Sequence, residues 1–198
     1  MPRVRSDDYE LKSQAILDSA AALFAKEGYP GTKMQDVAEG CGATKSMLYH
    51  YFPTKDDLLY AMLEEHLEKT IASIKEVASM PGSSRERFNA LVQAYAQKST
   101  QSRRRHVIAM NDMKYLSKAM QAPLLALERI VIDLIAAMLR ELNPKLPSDM
   151  YKPYTMHLLG ILNWTDYWYK PSGKLKAEDL CTQISRLFLH GFLAEKTV

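Results

Sequence analysis

Residues 32–55 read TKMQDVAEGCGATKSMLYHYFPTK, and the reading of this stretch decides the fold. Two short segments with helical apolar spacing, 33–40 and 44–51, flank the turn Gly40-Cys41-Gly42. Thr32 with Gln35 fits a capping box, the hydroxyl taking a first-turn N–H while the amide reaches back. Thr44 follows Gly42-Ala43 and suits the N-cap of the second segment. Thr54-Lys-Asp-Asp57 puts acids in the first turn of the next helix, where the helix dipole favours them. Two short helices joined by a glycine-containing turn of a few residues make a helix-turn-helix, whose second helix can enter a DNA major groove. Val37, Ala38, Leu48 and Phe52 supply the apolar contacts that fix the crossing.

Upstream, Ile16, Ala20, Leu23 and Phe24 predict a helix over about 9–27 that closes a three-helix core, with Gly28 where a left-handed residue would stop it. Downstream, helical spacing recurs in Leu58, Met62, Leu63, Leu67, Ile71 and Ile74, in Phe88, Leu91, Val92 and Tyr95, and in Ile130, Leu134, Ala137 and Met138. Ser83-Ser-Arg-Glu86 fits another capping box. Gly and Pro punctuate at Pro81-Gly82, Pro123, Pro144 to Pro147 and Pro171 to Gly173. No stretch alternates as a strand would. The chain reads as all-α with about nine helices, in two domains: 1–55, carrying the helix-turn-helix, and a helical domain over 56–198.

Composition sets the outer limits. The 198 residues are 47% hydrophobic and 25% charged, the mix of a globular protein with a core. The longest apolar run, Ile130 to Leu139, is broken by Asp133 and falls short of the roughly 18 residues of a membrane span. No basic stretch followed by a short apolar run marks a secretory signal. Cys41 and Cys181 alone exclude a disulfide framework or a four-thiolate zinc site, and the five histidines show no metal-ligand spacing. A reduced, cytoplasmic protein without membrane attachment, metal or cofactor is expected. Net charge is +3, yet residues 1–55 hold seven Lys/Arg against seven Asp/Glu. DNA binding must therefore rest on placement of charge rather than bulk basicity.

The outward face of 44–52 offers Thr44, Lys45, Ser46, Tyr49, His50 and Tyr51. Such side chains suit phosphate oxygens and base edges. Lys45 can reach a guanine edge and Met47 a thymine methyl, unless Met47 is core. Tyr49, His50, Tyr51 and Lys55 suit the DNA backbone, and the helix starts at Thr32-Lys33 and Thr54 could each accept a phosphate. Arg3 and Arg5 could lie along the minor groove. The competing reading is a buried aromatic cluster at 49–52, and burial is expected for Phe52.

Residues 10–60 resemble the N-terminal domain of the TetR/AcrR family of bacterial transcriptional regulators. The resemblance runs through Ile16-Leu17, Ala22-Leu23-Phe24, Gly28-Tyr29, Thr32, Val37-Ala38, Gly42 to Ser46, Leu48 to Phe52, Lys55 and Leu58-Leu59. Cys41, Ala43, Ser46 and Met47 depart from the usual residues, and the last two sit on the presumed reading face. The resemblance implies a homodimer that binds a palindromic operator in duplex DNA and is released by a small effector.

Residues 56–198 carry no phosphate-loop, nucleophile-elbow or zinc-ligand motif, so no enzyme is expected. The alternative is an all-α ligand carrier or enzyme with an aromatic pocket and no DNA role. Two features stand out: Arg103-Arg104-Arg105, suited to a cationic rim over an apolar pocket or to a solvated helix start, and the aromatic run Trp164, Tyr167, Trp168, Tyr169. Leu158, Ile161, Leu162, Ile184, Leu187, Phe188 and Phe192 lie on the last two predicted helices, 150–169 and 177–194, which in the family pair with their symmetry mates. Residues 104–116 and 163–175 also resemble the subgroup that senses acyl-coenzyme A thioesters. That resemblance implies an acyl group among Met110, Met113, Tyr115, Leu134 and Met138, phosphates held by Arg103, Arg104 or Arg105 and Lys170, and adenine stacked on Trp164 or Trp168.

Overall fold

The computed structural model describes residues 3–96 and 100–195, with the side chains of residues 3–7, 100 and 101 left aside. Nine α-helices account for the fold among these residues: α1 (Arg3–Gly31), α2 (Met34–Gly40), α3 (Lys45–Tyr51), α4 (Lys55–Ala78), α5 (Ser84–Ala96), α6 (Thr100–Asp112), α7 (Lys118–Leu142), α8 (Tyr151–Trp168) and α9 (Ala177–Ala194). Short 3-10 turns, Met113–Tyr115 and Ser148–Met150, precede α7 and α8. No strand occurs among the described residues. None of these helices is long and apolar enough to cross a membrane.

The chain forms two compact units, Met1–His66 with Ser99–Leu124, and Leu67–Lys98 with Leu125–Val198. Helix α6 packs on α1 and so joins the first unit. In that unit Ile16, Leu17, Ala20, Ala21 and Phe24 of α1 are buried, as are Val37 and Ala38 of α2, Leu48 of α3, Phe52, and Leu58, Leu59, Met62 and Leu63 of α4. The tripod expected from periodicity is thus present. Gly28 ends the first stretch of α1 with φ +76°, a conformation that costs glycine little and other residues much. Gly40 is required by proximity, since a Cβ there would run into Ser19 Oγ. That hydroxyl donates to the Val37 carbonyl at 2.9 Å and fastens α1 to α2.

Arg105, on α6, is buried and ion-paired with Asp18 of α1 and Glu65 of α4. The guanidinium fork suits two carboxylates at once, which a lysine ammonium would not match. Beside it, His66 and His106 are buried with ring nitrogens 3.1 Å apart. The expected role of Arg105 as a cation rimming a ligand pocket is corrected: both carboxylates neutralise it inside the fold.

The second unit has its own core, in which Phe88, Leu91 and Val92 of α5, Ile135, Met138 and Leu139 of α7, Leu158 and Leu162 of α8, and Ile184, Phe188 and Phe192 of α9 are buried. Phe188 stacks on both Phe88 and Phe192 with ring centroids 5.5 Å apart. Asn143 closes α7 against the end of α9 by donating to the Phe192 carbonyl at 2.9 Å, while Tyr151 donates to the Asn143 carbonyl. Helix α7 runs through Pro123, which interrupts rather than ends it; proline there removes one backbone hydrogen bond near the helix start.

Candidate nucleic-acid interface

The reading helix is built locally. Ala43 N–H donates to the Ala38 carbonyl at 2.9 Å across the turn, where Gly42 takes φ +68°. Thr44 is the N-cap of α3, its hydroxyl accepting from Met47 N–H at 3.1 Å. Leu48 is fully buried and pins the inner face. Thr44, Lys45, Ser46 and His50 are exposed and Met47 and Tyr51 half-buried. Tyr49 keeps 41% of its surface in solvent. The Lys45 ammonium stands 6.0 Å from the Tyr49 ring centre. Tyr51 stacks on Tyr9 of α1 with centroids 4.4 Å apart, and His50 meets Tyr51 edge-on. The result is a short rod with one apolar face inward and hydroxyl, ammonium, imidazole and phenol groups outward. The buried-cluster alternative holds only for Phe52.

The flanking residues behave differently from expectation. Thr32 is buried and its hydroxyl donates to the Gly28 carbonyl at 3.0 Å, so the capping box with Gln35 does not form. Lys33, exposed, is the N-cap of α2, and Asp36 accepts from its backbone N–H. Thr54 does form a capping box, exchanging hydrogen bonds with Asp57. Asp36 and Asp57 therefore occupy the helix starts that were expected to receive phosphates, and a second anion there would meet a like charge. Lys55 is corrected as well. Its ammonium donates to the carbonyls of Tyr29, Pro30 and Thr32 at 2.9, 3.4 and 3.0 Å, and lies 4.5 Å from the Tyr29 ring centre. Three donors meet three carbonyls, which leaves none for a DNA phosphate.

Tyr29 anchors this corner. Its hydroxyl bonds Asp56 and its ring stacks on Tyr115 at 5.3 Å. Burial first, then the bond to Asp56, pushes the phenol well above its ordinary pKa. Tyr9, Asp18 and Glu65 carry no signal in the sequence, because periodicity marks faces and these residues act through partners far along the chain. Helix α1 starts at Arg3, and the side chains of Arg3 and Arg5, expected along the minor groove, lie outside the described residues.

The residues expected to bind an effector are divided between the two units. Met110, Met113 and Tyr115 belong to the first unit, with Met113 buried and the other two about half-exposed. Leu134 and Met138 belong to the second, where Met138 is buried in the core. Arg103 is half-buried, and Arg104 and Lys170 are exposed. Trp164 and Trp168 are 64% and 49% exposed on the outer side of α8, in an apolar groove with Ile161, Ile184 and Leu187. That groove, between α8 and α9, holds about 680 Å³, and Leu187 is 71% exposed at its edge. Leu158, Leu162, Phe188 and Phe192 face the core of the unit, so they cannot supply seam contacts and only Ile161, Ile184 and Leu187 of the expected set reach the groove. No cluster of three or more His, Cys, Asp or Glu suited to a metal occurs among the described residues.

A capped rod with a buried inner face, a polar outer face and a supporting pair of helices defines a helix-turn-helix DNA-binding protein. The chain belongs to the TetR family: the bacterial regulatory protein, tetR family, model matches residues 16–62, and the tetracyclin repressor-like C-terminal domain model matches residues 81–192. It is a DNA-binding transcriptional regulator and not an enzyme. A TetR-family transcriptional regulator from Bordetella parapertussis 12822 is 30% identical, with 94% of this chain and 98% of that one covered and a TM-score of 0.83. The HTH-type transcriptional repressor KstR2 of Mycobacterium tuberculosis is 23% identical over 188 residues, covering 91% of this chain and 92% of that protein. AibR, solved in complex with isovaleryl coenzyme A and operator DNA, is 25% identical, with 89% of this chain and 97% of that chain covered and a TM-score of 0.77.

Proposed function

We propose that the chain is a repressor that binds a palindromic operator as a homodimer in the cytoplasm and is released by an acyl-coenzyme A thioester. The outer face of α3 carries the DNA-binding half of this reading. Lys45, Ser46 and Met47 meet base edges, and Thr44, Tyr49, His50, Tyr51 and Lys33 meet the sugar-phosphate backbone. Segment 1–55 supplies the reader, and the rest supplies effector binding and dimerisation.

The α8–α9 groove supports the homodimer. Exposed Trp164, Trp168 and Leu187 line one apolar groove with half-buried Ile161, a face suited to covering by another apolar surface, and Gly160 leaves open space above the helix axis. A second copy related by a two-fold axis covers the same groove on both subunits, which sets two α3 helices on two half-sites of a palindrome. For the effector, the support is AibR, solved with isovaleryl coenzyme A, together with the resemblance in residues 104–116 and 163–175. Its phosphates fall to Arg103 and Arg104 in the first unit or to Lys170 in the second. Release requires the thioester to bind the DNA-incompetent conformation more tightly; operator then weakens thioester binding by the same factor.

A mobility-shift titration on the DNA upstream of the chain's own gene tests the reading. Saturable retention, reversed by isovaleryl coenzyme A but not by isovalerate, is expected. Retention insensitive to every thioester, with reversal by a free acid, removes the effector assignment. Absence of retention on any operator-bearing fragment removes the repressor.

A further inference from the structure

Helices α5 and α9 pack through Phe88, Leu91 and Val92 on one side and Ile184, Phe188 and Phe192 on the other. Beside that apolar seam, the helical repeat brings a polar pair of stripes together. Arg85, Asn89 and Gln93 follow one another at four-residue spacing on α5, opposite Thr182, Ser185 and Arg186 on α9. Between them lies a groove of about 180 Å³. At about 30 Å³ per water it has room for a tetrahedral oxyanion and part of its shell. Buried Cys181, Ser185 and Leu189 contribute to its lining, and the exposed Arg85 and Arg186 stand in the same wall.

Side-chain chemistry sets this groove apart. Its lining has two guanidiniums, two carboxamides and two hydroxyls, and no carboxylate. Thr182 donates to the Glu178 carbonyl at 2.9 Å. Arg85, Asn89, Gln93, Ser185 and Arg186 have no side-chain hydrogen bond or ion pair to another described residue. Neighbouring charges do find partners. Arg87 bonds Glu141 and the Gly82 carbonyl, and Glu86, next to Arg85, is held by Ser83. Two like charges facing one hollow repel each other until an anion enters it.

We propose that this groove is an anion site for a phosphate group, either the free ion or a small phosphate monoester, and that it is distinct from the operator reader and the thioester site. The forked guanidiniums of Arg85 and Arg186 supply paired N–H donors matched to phosphate oxygens. The amides of Asn89 and Gln93 and the hydroxyl of Ser185 complete the shell. Nothing in this assignment depends on the identity of the effector.

Calorimetric titration of the full chain tests it, with inorganic phosphate, glucose 6-phosphate and citrate at matched ionic strength. The proteins compared are the wild type, the double variant Arg85→Gln/Arg186→Gln, and Arg129→Gln as an exposed control on α7. Saturable binding of phosphate or sugar phosphate by the wild type and the control is expected, weakened at least about tenfold in the double variant. Tighter binding of the sugar phosphate assigns a monoester, and tighter binding of phosphate assigns the free ion. Either arm requires the wild-type amide resonances of Asn89, Ser185 and Arg186 to shift on titration, which locates the site without any substitution. Absence of saturable binding, undiminished binding by the double variant, shifts confined to other helices, or preference for citrate overturns the proposal.

Discussion

Replacing Lys55 with methionine removes an ammonium while keeping most of its aliphatic stem. The loss comprises two good hydrogen bonds, to the Tyr29 and Thr32 carbonyls, a longer one to Pro30, and the contact with the Tyr29 ring. Hydrogen bonds to a charged group are worth about 1.5–3 kcal/mol net, and an accessible cation–π contact about 0.5–1. Lys55 is half-exposed, so water repairs part of the damage, and about 2 kcal/mol is expected. In a chain of this size that lowers Tm by roughly 4–8 °C. A phosphate contact would behave otherwise: its removal flattens the dependence of log K on log salt by about 0.9. Thermal unfolding is therefore paired with operator titration by fluorescence anisotropy at several salt concentrations. The expected outcome is a lowered Tm with an unchanged salt slope. An unchanged Tm with a slope shallower by about 0.9 would refute the clamp and return Lys55 to the DNA.

Arg105→Met leaves Asp18 and Glu65 facing each other without their shared cation and should destabilise the chain by about 3 kcal/mol in urea unfolding. Arg105→Lys should recover only part of that; an unchanged midpoint in either variant contradicts the two-armed pair. Leu187→Lys puts a charge into the α8–α9 groove at an exposed position, so sedimentation equilibrium should give a monomer whose Tm no longer rises with protein concentration. A dimer of unaltered affinity rules that face out. The Ser83 backbone N–H, and then its hydroxyl, hold the Glu86 carboxyl below the usual glutamate range. A depressed folded-state value means its stabilisation is present above the unfolded carboxylate pKa and fades as pH falls through the folded one. Ser83→Ala should move the Glu86 titration, followed by carboxyl-carbon NMR, back toward the usual range, and no movement denies the capping box.

What could be read in advance was local. Thr44, Thr54 and Ser83 cap the helices they were expected to cap, since each acts within three residues of itself. The outward face of α3 follows from one buried leucine, Leu48, and a helical repeat. Thr32 misled because a threonine hydroxyl can also turn back to the carbonyl four residues earlier, and Gly28 presents one. Lys55 and Arg105 were beyond reach for a different reason. Their partners lie 26 residues away at Tyr29, 40 at Glu65 and 87 at Asp18, and a charge beside a polar run looks the same in sequence whether its partner is a phosphate or an unseen carbonyl. The aromatic run of α8 stands out in the sequence, but periodicity gives no sign of inward or outward. Leu158, Leu162 and Thr165 form the inner stripe, while Ile161, Trp164 and Trp168 form a second one facing solvent. A helix apolar on two sides has a second face to cover, which is the face proposed for the second copy.

Amide chemical-shift mapping of the labelled chain on addition of its upstream operator duplex tests the outer face of α3 as the DNA reader most directly. The account predicts the largest shifts at Lys45, Ser46, Met47 and Tyr49, smaller ones at Lys33 and Tyr51, and loss of the α3 shifts when Lys45 is replaced by alanine. Saturable binding that leaves Thr44 to Tyr51 unmoved and shifts residues on another helix would contradict it.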